Sequence, residues 1–352
     1  MRWIKVLSVF VIAIALLFTG ALAYLTITDS GFEGSVPLSV TNNQVAQIPI
    51  GETISMTTLN IGYGDMGKDQ VSYFEGGKWN GPSDREDILE NLDSLVLGLD
   101  TTDSEIFFLQ DVDLDSERSS GIDQSEYFRI NYPHFGSVFG VNHEAKYIPI
   151  PILKPIGKVS GGLMTMSRYN TSKAERHSLF NRDSWPLKLF QMDRCFVETR
   201  HPVRNGGELV LVNLQLSPYD DKEITREMQL RELNSFMSEE YAKGNYVVAG
   251  GDWSHSLPGT DPQVFDSEEL WPNWLKDLPS SFVPEGFSWA VDRTTPTRRS
   301  LNGPYVPGKT FKAVVDGFLV SDNLYIQKVF THDNDFSNSH HNSVTLEFII
   351  VN

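Results

Sequence analysis

The stretch YVVAGGDWSHSL, residues 246–257, organises the reading of the whole chain. Tyr246, Val247, Val248 and Ala249 predict a buried strand. Gly250 and Gly251 follow, where the missing Cβ allows a sharp turn and a close backbone approach to a ligand. Asp252 then stands at the carboxyl end of the strand, a position suited to chemistry at the rim of a sheet. Taken alone, the pattern is better explained by a strand running into an Asp-containing turn. A site is indicated only if other strands end the same way.

They do. Just upstream, Met228, Leu233, Phe236, Met237 and Tyr241 predict an amphipathic helix over Thr225–Lys243, with Gly244 as its C-terminal cap. Before that, LVLVNLQL (209–216) alternates: Leu211, Asn213 and Gln215 share one face and Val210, Val212, Leu214 and Leu216 the other. Two amides on a buried face need partners; a structural network and a phosphate or water contact fit them equally. Near the start of the globular part, TISMTTLNI (53–61) predicts a strand carrying Asn60 near its end. Ser83-x-x-Glu86 reads as a capping box ahead of a helix with Ile88, Leu89, Leu92, Leu95, Val96 and Leu99 at helical spacing. The apolar run IFFLQDVD (106–113) is a strand ending in Gln110-Asp111. Residues 116–158 read as loop, with YIPIPILKP (147–155) as a packed surface loop or, alternatively, a substrate- or lipid-facing lip. Strands are predicted at 161–167 and 194–200. In the strand FKAVVDGFLVS (311–321), Asp316 sits inside an apolar run, which is costly unless the carboxylate is paired. SHHNS (339–343) opens the last strand, 344–351, and a histidine beside a buried aspartate would be an oriented acid/base group.

Composition sets outer limits. The 352 residues are 40% hydrophobic and carry a formal net charge of −17. So acidic a surface disfavours broad contact with polyanions, although it can collect divalent cations. The single cysteine, Cys195, excludes an intrachain disulfide and any Cys-based zinc site, and reads as a small core residue. Arg2 and Lys5 precede an uncharged apolar run, Val6–Ile27, long enough to span a bilayer with its N-terminus cytoplasmic. Ala21-Leu22-Ala23 also fits a signal cleavage site. The chain thus divides into a membrane anchor or signal peptide (1–27), a linker with little structure of its own (28–52) and one domain (53–352). The domain is expected outside the cytoplasm, tethered or secreted. His134, His143, His177, His201, His255 and His332 show no ligand spacing and read as surface or loop residues. Arg298 and Arg299 read as a solvated loop pair or as contacts to a substrate phosphate.

Asn60 in LNIGYG, Asp111 in FFLQDVD, Asn213 in LVNLQLS, Asp252 in AGGDWS, Asp316 in VVDGFLVS and His341 in SHHNSV, in that order, resemble the endonuclease/exonuclease/phosphatase superfamily. That superfamily includes deoxyribonuclease-like nucleases, sphingomyelinases and inositol polyphosphate phosphatases. The resemblance covers Thr53 to the C-terminus. It implies a four-layer α/β sandwich of two mainly antiparallel sheets, face to face and flanked by helices, with metal-assisted hydrolysis of a phosphate ester at one end of the sheets. Asp111 would hold Mg2+ with help from Asn60. Asp252 would orient or deprotonate the attacking water, and Asp316 would hold the ring of His341, which would meet the phosphate. Asn213 and Gln215 belong to the same catalytic set.

The departures from the family pattern are also specific. The family has glutamate at Asp111, histidine at Gln215, asparagine at Ser254 and aspartate at His340. His340 would then be a nitrogen ligand, favouring Mn2+ or Zn2+ over Mg2+. Two readings follow: a metal-dependent hydrolase, or a catalytically impaired member of the fold serving as a ligand-binding module at the cell surface. The substrate stays open among a lipid head group, a small phosphoester and nucleic acid, and no protein partner is evident.

Overall fold

The computed structural model describes residues 2–29, 31–218 and 224–351. Helix α1 (Arg2–Ile27) comes first, with none of its residues buried, followed by the short strands β1 (Ser35–Pro37) and β2 (Val40–Thr41). A first strand–helix–strand unit comprises β3 (Thr53–Asn60), α2 (Arg85–Asp100) and β4 (Ile106–Asp113). Helix α3 (Gln124–Asn131) leads into the long hairpin β5 (Gly136–Ile148) and β6 (Gly157–Ser167), then β7 (Lys173–Ser178) and β8 (Cys195–Pro202). A second unit comprises β9 (Glu208–Gln215), α4 (Ile224–Ala242) and β10 (Tyr246–Asp252). The chain closes with β11 (Phe287–Ala290), β12 (Arg298–Arg299), β13 (Lys312–Ala313), β14 (Asp316–Ser321), β15 (Leu324–His332) and β16 (Ser343–Ile350).

The strands form two seven-stranded sheets, ordered β1-β7-β8-β9-β10-β14-β11 and β15-β16-β3-β4-β6-β5-β2. Each contains one parallel pair, β9/β10 and β3/β4, because a helical crossover returns the chain in the same direction. The remaining pairs are antiparallel. Leu211, Val248, Phe318, Phe108, Leu346 and Phe348 fill the space between the sheets. Outside one sheet, Leu233 and Met237 of α4 pack on Val212, Leu214, Val247 and Leu319. Outside the other, Ile88, Leu92 and Leu95 of α2 and Phe128 of α3 pack on Phe107, Leu109 and Met164. These are the four expected layers, and the alternation of β9 divides its side chains between the two cores as read.

Several local expectations fail for identifiable reasons. Residues 116–158 are not loop: β5 runs through them, its Gly-rich and polar alternation concealing a strand buried by β6. YIPIPILKP is the tip of that hairpin. The capping box does not form. The N-terminal cap of α2 is Asp84, without a side-chain bond, and Ser83 is spent on Asp65, with Oγ–Oδ1 at 2.5 Å. The segment 28–52, read as a linker, is stitched to both sheets: β1 pairs with β7, β2 pairs with β5, and Ile48 is wholly buried. The run 311–321 breaks into β13 and β14. Gly250 and Gly251 are required by neighbouring strands rather than by a ligand. A Cβ on Gly250 would lie 2.3 Å from the Phe318 ring, and one on Gly251 (φ +138°) 2.0 Å from the Leu214 carbonyl oxygen.

Candidate active site

The carboxyl ends of β3, β4, β9 and β10 and the amino ends of β14 and β16 meet at one end of the sandwich. A cleft of about 560 Å³ opens there, lined by Asn60, Asp111, Gln215, Asp252 and His340. Around it, Tyr63, Asp111 and Ser254 all hold positive φ (44°, 52° and 51°). Such backbone costs on the order of 1 kcal/mol per non-glycine residue and persists where packing over-determines it, typically at functional sites. For Asp111 the cause is visible. Strand β4 bulges between Leu109 and Val112, and the extra residue turns the carboxylate out of a strand that is otherwise buried.

Asp252 is held on both oxygens. Its Oδ1 accepts from Ser254 N (2.8 Å) and Oγ (3.1 Å), and its Oδ2 from Asn60 Nδ2 (3.3 Å). Asn60 is fixed in turn, its Oδ1 accepting from Gly62 N at 2.9 Å. Behind Asp252 lies the buried pair His341–Asp316, Nδ1 to Oδ2 at 2.7 Å. His341 Nε2 faces Asp252 Oδ2 across 3.9 Å and has no hydrogen-bond partner. Burial pushes the Asp316 carboxyl above its usual range, and the adjoining His341 pulls it back. Gln215 joins the two sheets, donating from Nε2 to Asp111 Oδ2 (3.0 Å) while its Oε1 accepts from Asn142 (3.0 Å).

Asn213 stands apart from this group. Its amide lies a layer deeper, donating to the Met164 carbonyl (3.0 Å) and accepting from Gln110 Nε2 (2.8 Å). Of the two roles open to it, the structural network is the one formed. Arg298 and Arg299 are both buried, so neither is a solvated loop charge. Arg298 lines the cleft, paired with Glu75 (2.7 Å) and 3.6 Å above the Trp274 ring. Arg299 points away and donates to the carbonyls of Gly67, Gln70, Ser300 and Gly303; burial pushes its pKa down to about 10. Arg118 also lines the cleft, bound through two nitrogens to Asp113 (2.8 and 3.0 Å) with its guanidinium over Tyr63.

His143, read from sequence as a surface residue, is buried on β5 and lines the cleft with both ring nitrogens unpartnered. Burial, then Arg118 and Arg194, push its pKa well below the usual value, so the ring is neutral. Only recognition of β5 as a strand could have revealed it. His340 is likewise buried with Nδ1 unpartnered, and is held neutral by burial and by His341, Arg298 and Arg299. His201 and His255 are also buried, bonded to the Asn170 and Trp253 carbonyls.

The donors at the cleft fit a hard, water-rich cation. Asp111 offers a carboxylate at a half-buried position, Asn60 an amide oxygen and His340 an unpartnered nitrogen, leaving most of the coordination shell to water. They do not form a closed protein cage. Among the described residues, the one triad of His and carboxylate ligand atoms within 4.8 Å of one another is Glu175–His177–Glu198, on β7 and β8. There Lys173, Arg200 and the His177–Glu198 bond already satisfy the carboxylates.

No family model matches the chain, and no curated protein matches it by sequence. Solved structures do. An endonuclease/exonuclease/phosphatase protein from Beutenbergia cavernae is 14% identical with a TM-score of 0.59, over 85% of this chain and 72% of that one. ANGEL2, described as a 2′,3′-cyclic phosphatase, is 12% identical with a TM-score of 0.54, over 91% and 99%. TDP2 from D. rerio, solved with a single-strand DNA product, is 14% identical with a TM-score of 0.52, over 84% and 99%. At such identities the likeness is one of architecture. With its two facing mixed sheets and strand-end acids, the chain has the endonuclease/exonuclease/phosphatase fold.

Proposed function

We propose that the chain is a metal-dependent hydrolase of phosphate esters, tethered to a membrane through α1 with its domain on the extracytoplasmic side. The observation that carries the reading is the unpartnered Nε2 of His341, facing Asp252 with Asp316 fixed behind its Nδ1. Asp316 orients the ring through Nδ1 and leaves Nε2 to meet a phosphoryl oxygen. Asp252, immobilised by Asn60 and Ser254, accepts a proton from the attacking water. As the new P–O bond forms, the bond to the leaving oxygen breaks, and that oxygen takes a proton. The neutral ring of His143 lines the same cleft as Gln215 and is the candidate hydrogen-bond donor to the phosphate, while the leaving oxygen takes its proton from solvent. Asp111 and Asn60, with His340, would hold the cation, Mg2+ first, with Mn2+ or Zn2+ favoured if the His340 nitrogen binds. When bound, the cation neutralises charge on the phosphoryl oxygens. Arg118 and Arg298, each already paired with a carboxylate, add oriented guanidinium donors to the same cleft rather than net charge.

The fold does not select the ester, since ANGEL2 and TDP2 are described with different ones. The net charge of −17 favours a small or membrane-borne ester over a long polyanion. The test is turnover of generic phosphodiesters and phosphomonoesters by metal-stripped protein with Mg2+, Mn2+, Zn2+ or Ca2+ restored. The expected result is metal-dependent release of product, lost in Asp252→Ala and His341→Ala. A second reading, a ligand-binding module, is favoured by one observation: Gln215 occupies Asp111 Oδ2 and replaces a proton donor with an amide. Phosphoester binding by folded protein without turnover under any metal would select it.

A further inference from the structure

Helix α1 ends against the loop that forms one lip of the cleft. Trp185 Nε1 donates to Thr26 Oγ1 at 2.9 Å, and Lys188 pairs with Asp29 at 3.5 Å. On the same loop, Leu187 and Phe190 line the cleft, while Trp185 and Leu187 stay more than half exposed. The opposite lip is the β5–β6 hairpin. Ile148 and Ile156 line the cleft at its base, and at its tip Ile152 and Leu153 are 87% and 95% exposed.

Apolar side chains gathered at loop tips around one opening mark a surface that something covers. The covering agent follows from α1. Its 26 apolar-rich residues suffice to cross a bilayer. Its last turn then sits at headgroup level, where tryptophan and tyrosine are at home. The Trp185–Lys188 lip, bonded to this turn and to Asp29, is held at the same level, and the hairpin lines the same opening. Of the lip lysines, Lys146, Lys158 and Lys188 pair with carboxylates, and Lys154 with the Asn80 carbonyl.

Resting on the hydrolase reading above, we propose that the cleft opens onto the bilayer that holds α1 and draws its phosphate ester from that surface. The substrate class is an amphiphile whose phosphate reaches the strand-end acids while its hydrocarbon chain lies between the apolar lips. Water adds to phosphorus as the ester P–O bond breaks; one water proton passes to Asp252 and from there to solvent, and the departing oxygen takes a proton from solvent.

The test uses the full chain in vesicles of zwitterionic diacyl phospholipid. Two chromogenic diesters share one reactive group, p-nitrophenyl ethyl phosphate in solution and p-nitrophenyl hexadecyl phosphate in the bilayer. The hexadecyl ester should turn over roughly tenfold faster or more. The double variant Ile152→Ser, Leu153→Ser should erase that advantage and leave the ethyl ester unchanged; both positions are too exposed to hold the fold. Equal metal-dependent rates on the two esters would overturn the membrane inference and leave the hydrolase standing. If neither ester reacts, the hydrolase reading fails, and a second readout still decides the docking. A fluorophore on Leu153→Cys should be quenched by nitroxide-bearing lipid, and one on Leu97→Cys, near the C-terminal end of α2, should not; the native Cys195 is wholly buried and escapes labelling. Equal quenching at both positions, or none at Leu153→Cys, overturns the proposal.

Discussion

The two strand–helix–strand units, β3–α2–β4 and β9–α4–β10, are alike in plan. In each, the first strand ends in an amide (Asn60, Gln215), and the second carries an acid at its end (Asp252) or two residues short of it (Asp111). Each amide donates to the acid of the other unit, Asn60 to Asp252 at 3.3 Å and Gln215 to Asp111 at 3.0 Å. The sheets are thus cross-braced at their working end. The difference lies in the acids. Asp252 closes a regular strand, is 4% exposed and has both oxygens bonded. Asp111 sits on a bulge at φ 52°, half-buried, with one oxygen engaged by Gln215. A rigid acid suits orientation of water and proton transfer, whereas one turned outward by strain suits a ligand that must come and go.

The sharpest break of this comparison is Asp252→Asn, which keeps the shape and removes the base. Turnover should fall by roughly 10³-fold with the melting temperature little changed. Asp111→Asn should cost less, roughly 10²-fold, and should flatten the dependence on added metal. Equal losses at the two positions, with metal dependence intact in both, would abolish the distinction. Asn213→Leu removes an amide that ties the sheets together behind the site. It should lower unfolding free energy by about 2 kcal/mol in denaturant titration while leaving kcat near its original value. His143→Ala should reduce turnover by roughly tenfold; no change would remove His143 from the site.

The smallest effect concerns pH. His143 and His340 have folded pKa values well below the usual 6.5. As pH falls through about 6.5, the unfolded chain takes up protons that the folded chain refuses, so stability is full above that pH and declines below it. Melting curves between pH 7.5 and about 5 should show the decline, and the double variant His143→Gln, His340→Gln should lessen it, part of the rest belonging to His201, whose buried ring is held down to about 4.

What the sequence made legible was the set of strand ends. Asp111, Asp252, Asp316 and His341 stood out because each interrupts or closes an apolar run, and burial of a carboxylate without a partner is too costly to be incidental. The structure gathers all four at one end of the sandwich. His143 was invisible because its strand, β5, begins GSVFGVNHEA, where glycines and polar residues mimic a loop; tertiary pairing with β6 overrides local propensity. Ser83 misled for a related reason: a local capping signal lost to the more distant carboxylate of Asp65. Arg299 read as solvated because no sequence pattern reveals four carbonyls, two of them more than 200 residues away, converging on one guanidinium.

The stitching of residues 35–48 has a consequence for how the protein can be matured. β1 and β2 cap the outer edges of the two sheets, and Ile48 plugs the core between them. Proteolysis at Ala21–Ala23 would release a particle whose seams remain closed. Proteolysis after Ile50 would strip both seams, leaving bare strand edges on β7 and β5 that recruit other chains. A cut that only removes α1 and a cut that invites aggregation are therefore separated by fewer than thirty residues, and proteolysis that leaves this domain intact must fall on the helix side of Ser35.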